Sequence, residues 1–200
     1  PHRKTRGADV SNATTGRKSR ASGQSMEAEM VAACTAYRAE GRALVSKIPT
    51  PIKRVGMEKR RGGAFAAVYA EKSTVDFMGI IDEGLGVYVE AKSALTPTRI
   101  ALKVRSHPVI RPHQAKYLAD AHRMGALAGV VIRLGPHTDA TWYALTWPGW
   151  LGAVAATAPR LSVSASLLAT WGEVVDTSSR RVDWLTALVE AERKDMRMSS

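Results

Sequence analysis

Residues 73–92 read STVDFMGIIDEGLGVYVEAK, two apolar runs around a glycine-bearing reversal. FMGII (77–81) has the length and composition of a strand, DEGLG (82–86) those of a turn, and VYVEAK (87–92) those of a second strand. Gly84 and Gly86 supply permissive backbone at the reversal. Such a hairpin sets the start of its first strand beside the end of its second. Side chains alternate faces along a strand. Val87, Val89 and Ala91 therefore share a core-like face, and Tyr88, Glu90 and Lys92 share the other. Asp82 and Glu83 fall at the tip, where turn chemistry accounts for them. Asp76 stands at the mouth of the first strand and is expected to approach Glu90 and Lys92.

Working outward, residues 24–41 (QSMEAEMVAACTAYRAEG) carry Met26, Met30, Ala33 and Tyr37 at helical spacing. Ser25 suits the N-cap, Glu27 and Glu29 the first turn, and Gly41 the stop. ALVSKI (43–48) is expected as a short strand. PTPIKRVGMEKRRGGAF (49–65) concentrates Lys53, Arg54, Lys59, Arg60 and Arg61 against one acid, which makes it a basic arm. AFAAVYA (64–70) and RIALKV (99–104) look like strands, and 111–125 like a helix opening near Pro112. ALAGVVIRL (126–134) is a continuous apolar run, expected as a strand buried on both faces. TWYALTW (141–147) is expected at a sheet edge, followed by helices near 148–156, 164–173 and 180–194.

The order of elements predicts an α/β domain around a mixed sheet flanked by helices. Residues 1–21, rich in Arg, Lys, Ser and Thr, are expected as a flexible basic tail. Residues 22–146 form the core, with the arm at about 49–67, and 147–200 a helical extension packed on it. The single cysteine, Cys34, excludes an intrachain disulfide. No apolar run approaches the roughly 20 residues of a membrane span, so a soluble, cytoplasmic protein is expected. The net charge of +11 favours a polyanionic partner, nucleic acid first.

Two carboxylates and a lysine at a strand end suit metal-assisted phosphodiester hydrolysis. Carboxylates are hard ligands for Mg²⁺, and the ion polarises phosphate and acidifies a bound water. The carbonyl of Ala91 is a further candidate ligand. An exposed sheet face with a Glu–Lys pair and an unrelated Asp fits the same spacing. His107 and His113, without cysteines beside them or a paired spacing, make a weak case for a zinc site.

The surrounding blocks separate these readings. GQSMEAEM, KIPTPIK, STVDF, YVEAK, HPVIRPHQAKYL and GVVIRL occur in that order between about 23 and 134. The series resembles the RecU-type Holliday junction resolvases of the PD-(D/E)xK nuclease superfamily. That resemblance implies a restriction-endonuclease-like core with a protruding basic stalk at the arm. It implies Asp76 and Glu90 as metal ligands with Lys92 acting on the attacking water or the phosphate. Glu27 would complete the metal shell through water, and Gln114 would bond the scissile phosphate or a metal-bound water. Lys53, Arg54, Lys59, Arg60 and Arg61, with Ser73 and Thr74, are the expected DNA contacts. The expected activity is Mg²⁺-dependent cleavage of four-way DNA junctions by a homodimer in recombination and repair, with Mn²⁺ able to substitute. A nuclease of the same superfamily with another DNA target, or a non-catalytic DNA-binding architectural protein, are the alternatives.

Overall fold

Twelve strands and five helices follow one another in the computed structural model, which describes residues 7–49, 52–54, 67–69, 74–178 and 181–198. Helix α1 (Gly7–Ala39) leads into β1 (Ala43–Lys47), β2 (Ile52–Arg54), β3 (Ala67–Tyr69), β4 (Phe77–Ile81) and β5 (Gly86–Ala94). Three short strands follow, β6 (Arg99–Ala101), β7 (Lys103–Val104) and β8 (His107–Pro108). Then come α2 (Pro112–Arg123), β9 (Leu127–Leu134), β10 (Thr141–Thr146) and α3 (Trp147–Thr157). The chain closes with β11 (Ser162–Ser164), α4 (Ala165–Trp171), β12 (Glu173–Val174) and α5 (Trp184–Met198).

The main sheet has the order β1-β4-β5-β9-β10-β12. Only the central pair, β5 with β9, is parallel, and α2 makes the crossover between them. The hairpin read from the sequence is present, with Phe77 opposite Val89 and Gly79 opposite Val87. Gly79 is needed there, since a Cβ would lie 2.0 Å from the Leu44 carbonyl oxygen across β1. At the tip, Glu83 (φ 60°) and Gly84 (φ 78°) take the left-handed conformation, whereas Gly86 is the first residue of β5. Asp82 and Glu83 are exposed, as turn residues should be.

Each face of the sheet is covered. Met26, Met30 and Tyr37 of α1 and Trp184 and Leu188 of α5 pack on Val45, Phe77, Val87 and Val89. On the opposite face Leu118 of α2, Trp150 of α3 and Leu168 of α4 meet Val130, Ile132 and Leu145. Trp184 is fully buried, and replacing such a ring by Ala typically costs about 3–5 kcal/mol. The hydroxyl of Tyr37 donates to the Val182 carbonyl (3.3 Å) and accepts from the Leu185 amide (3.2 Å), pinning α5 to α1.

Several expectations are corrected. Most of the segment expected as a flexible tail belongs to α1, whose backbone is helical from Gly7, because nothing between 7 and 24 breaks a helix decisively. Ser25 is consequently mid-helix and donates to Glu29 (3.2 Å) instead of capping. The run 99–104 is two strands with different partners: β6 pairs with β11, its line carried on by the Leu102 amide donating to Leu161 O (2.9 Å), whereas β7 pairs with β8. β10 is not an edge, since β12 pairs outside it. The C-terminal segment is therefore more than a packed extension: it adds a strand to the sheet and buried side chains to both core faces. Of the basic arm, β2 and β3 form an antiparallel ribbon with Lys53 opposite Val68. Lys59, Arg60, Arg61 and Ser73 lie outside the described residues. Among the described residues no helix is long and apolar enough to cross a membrane.

Candidate active site

The hairpin delivers Asp76 to the end of β5. The Asp76 carbonyl accepts from the Ile48 amide (2.8 Å), fixing its backbone at the exit of β1. Its side chain accepts from the Ala91 amide at 2.9 Å, so the carboxylate is held one residue beyond Glu90.

Glu90 is fully buried, because α2 covers the face that parity alone would leave open. Its Oε1 accepts from Gln114 Nε2 (2.6 Å) and from Lys92 Nζ. Gln114 is the third residue of α2, and its Oε1 accepts from the Arg111 amide (2.9 Å). That bond fixes which end of the side-chain amide faces Glu90, so Gln114 both caps the helix and orients the acid. Glu90 Oε2 is buried and has no hydrogen-bond partner. Burial pushes the Glu90 carboxyl up to about 8; Lys92 opposes this and the nearby Asp76 carboxylate adds to it. A buried acid beside a second carboxylate holds a proton at neutral pH until a cation replaces it.

The remaining predicted residues divide. Lys92 is part-buried, its side chain 20% exposed beside the acid. Glu27 projects from α1 and is ion-paired with Lys47, whose register partner Phe77 follows Asp76. Among the described residues no three His, Cys, Asp or Glu side chains converge enough to hold an ion by themselves. Glu27, Asp76 and Glu90 therefore do not form a three-carboxylate cluster, and His107 and His113 build no metal cluster. Thr74 is half-buried at the entrance to β4. Sequence reading missed Lys47 and Arg111; Lys47 had a signal, the end of a strand running beside β4, and the backbone role of Arg111 had none.

The donor set fits a small hard cation. Two carboxylates, one with an oxygen lacking any partner, need a positive charge, and Mg²⁺ keeps several waters rather than requiring a protein cage.

"Holliday junction resolvase RecU" of Shouchella clausii (strain KSM-K16) is 26% identical over 114 residues. The alignment covers 56% of this chain and 52% of that protein, so the chain spans about half the length of this curated relative. The solved structure of Archaeoglobus fulgidus Hjc, a Holliday junction resolvase from an archaeal hyperthermophile, aligns with a TM-score of 0.41 and 11% identity. That alignment covers 78% of this chain and 93% of the archaeal one. The family described as Recombination protein U matches residues 21–187, from the middle of α1 into α5, and the chain belongs to that RecU family.

Proposed function

We propose that this protein is a metal-dependent endonuclease that resolves four-way DNA junctions, acting as a homodimer in the cytoplasm. The observation that carries the reading is the Asp76–Glu90 pair in a RecU-family chain, with Lys92 and Gln114 on one oxygen of Glu90 and the other oxygen orphaned. Bound Mg²⁺, or Mn²⁺ in its place, supplies a Lewis acid for the scissile phosphate and a more acidic water. Asp76 and Glu90 are the residues to hold it, with the Ala91 carbonyl as a third protein ligand. Lys92 Nζ then turns from Glu90 to the phosphate or the attacking water, and Gln114 Nε2 is a second donor to the same oxygens. Glu27 acts through water from α1. The products are 5′-phosphate and 3′-hydroxyl ends.

Two strands of a junction related by near two-fold symmetry call for two sites so related, which a dimer supplies. The charge of +11 supports a nucleic-acid partner. Lys53, Arg54, Lys59, Arg60 and Arg61 on the arm, with Ser73 and Thr74 at the site, are the proposed DNA contacts.

The test uses a mobile four-way junction, a linear duplex and a flap, each with Mg²⁺ and with EDTA. Paired symmetric nicks in the junction alone, lost in EDTA, are expected. Equal cutting of all three substrates would replace the junction by a broader target, and binding without metal-dependent cutting would overturn the nuclease reading.

A further inference from the structure

Between Glu90 and Asp120 the chain has no acidic residue. That interval contains a projecting hairpin. β7 pairs with β8, Lys103 opposite Pro108 and Val104 opposite His107, leaving Arg105 and Ser106 as a two-residue turn. Arg105 (φ 49°) and Ser106 (φ 66°) both take the left-handed conformation, the pattern of a type I′ turn. Such turns are dominated by Gly, Asn and Asp, so an Arg-Ser tip retains its side chains against conformational preference.

The hairpin is firmly rooted. Ile100 and Ile110 at its base are buried, and Ile100 pairs with Val163 of β11. Leu102 donates to Leu161 O (2.9 Å) and its own carbonyl accepts from the Val109 amide (2.8 Å). Every residue from Lys103 to Pro108 is exposed. Elsewhere in the described fold Arg42, Lys47, Arg133 and Arg181 are matched to carboxylates. Among the described residues, Arg99, Lys103, Arg105 and Arg111 share the lack of an ion-pair partner with Arg38, Arg160 and Arg197, but only these four lie together in the acid-free interval. The hairpin leads through Ile110 to Arg111, whose amide binds Gln114, whose side chain in turn binds Glu90. The unpaired charge is therefore connected to the cleavage centre by a short, hydrogen-bonded path.

We infer that the 103–108 hairpin is a clip for the sugar-phosphate backbone of a duplex DNA arm beside the cleaved strand, separate from the 49–67 arm. Lys103 and Arg105 offer only donors, which suit phosphate oxygens, and contacts to phosphate carry no sequence information. A contact blind to sequence suits an enzyme selecting its substrate by shape. The inference rests on the junction-cleaving reading.

The test compares the full chain with the double variant Lys103→Gln/Arg105→Asn and the charge-keeping control Lys103→Arg/Arg105→Lys. Asn tolerates the left-handed position, so the turn survives. Anisotropy with a labelled junction in EDTA is followed across salt, and hydroxyl-radical footprints are taken of each complex. Loss of two phosphate contacts in each protomer, four in the homodimer, should reduce the slope of log affinity against log salt by about 3.6, at roughly 0.9 per contact. Protection should disappear from the two symmetry-related arms that the paired hairpins contact, and the charge-keeping control should retain both the slope and the protection. An unchanged slope and footprint in the double variant overturns the clip, as does an equal defect in the control. Failure of the unmutated protein to cut junctions with Mg²⁺ would instead overturn the function, whatever the variants do.

Discussion

Gln114 Nε2 donates to Glu90 Oε1 at 2.6 Å, joining the first turn of α2 to the middle of β5. The two residues lie on adjoining elements of the crossover, so the helix start that covers the sheet also sets the acid. Gln114→Ala removes that bond and the one to the Arg111 amide. Groups that orient a ligand in this way are typically worth 10–100-fold in metal affinity or activity. Junction cleavage should therefore fall by about that factor, measured under single-turnover conditions across Mg²⁺ concentrations. A rate within twofold of the parent would leave Gln114 as a helix cap alone.

Asp76→Asn keeps an oxygen to accept from the Ala91 amide, so the hairpin should retain its register. What it removes is the charge opposite Glu90. Cleavage should drop by about 100- to 1,000-fold, in the range of losing a principal electrostatic contributor. Binding of a four-way junction in EDTA should stay near that of the parent. Surviving cleavage would show that the ion, or the reaction, lies elsewhere.

The raised carboxyl of Glu90 sets a pH dependence in metal-free protein. Its ordinary value is 4.5 and its folded value about 8. Below 4.5 the group is protonated in both states and costs nothing. Between 4.5 and 8 the unfolded chain releases the proton while the folded chain keeps it, so stability falls as pH rises. At 1.36 kcal/mol per unit the full penalty is at most about 5 kcal/mol, complete only above the folded value. Urea midpoints in EDTA should fall between pH 5 and pH 9, and Glu90→Gln should fall much less and exceed the parent at the alkaline end. Parallel curves for the two proteins would mean that Glu90 is not held protonated.

Local pattern made the hairpin legible, because strand length, glycine at the reversal and alternation all act within twenty residues. Alternation put Glu90 and Lys92 on one side, and the pairing of the hairpin brought Asp76 towards them. It could not show that Glu90 is sealed, since the cover comes from α2, a separate element. Gln114 was reached only through family resemblance; nothing in RPHQAKYL itself announces a partner in β5. The basic composition of residues 7–20 argued for a tail, but composition reports solvation and not backbone conformation, and the backbone there is helical. The strand order of the sheet was equally hidden: β12 is a two-residue pairing made after two intervening helices.

Arg133 was hidden differently, inside a run that reads as apolar. It lies in β9 with its side chain fully buried. Nη1 donates to Glu29 (2.9 Å) and Nη2 to Ser22 Oγ (2.7 Å), while the guanidinium sits 5.5 Å from the centre of the Trp142 ring. The strand thus grips α1 through polar contacts in a face otherwise filled by hydrocarbon. Arg133→Met fills the volume but takes the guanidinium from Ser22 and leaves Glu29 only Ser25 and His137. Removing one partner of a buried pair typically costs 3–5 kcal/mol, and because the Glu29 side chain is 29% exposed and can regain water, about 3 kcal/mol is expected. Arg133→Lys should fall between, since an ammonium cannot span both the serine and the glutamate. Urea unfolding in EDTA reads both variants. A midpoint for Arg133→Met equal to the parent would mean that apolar packing alone seats α1 on the sheet.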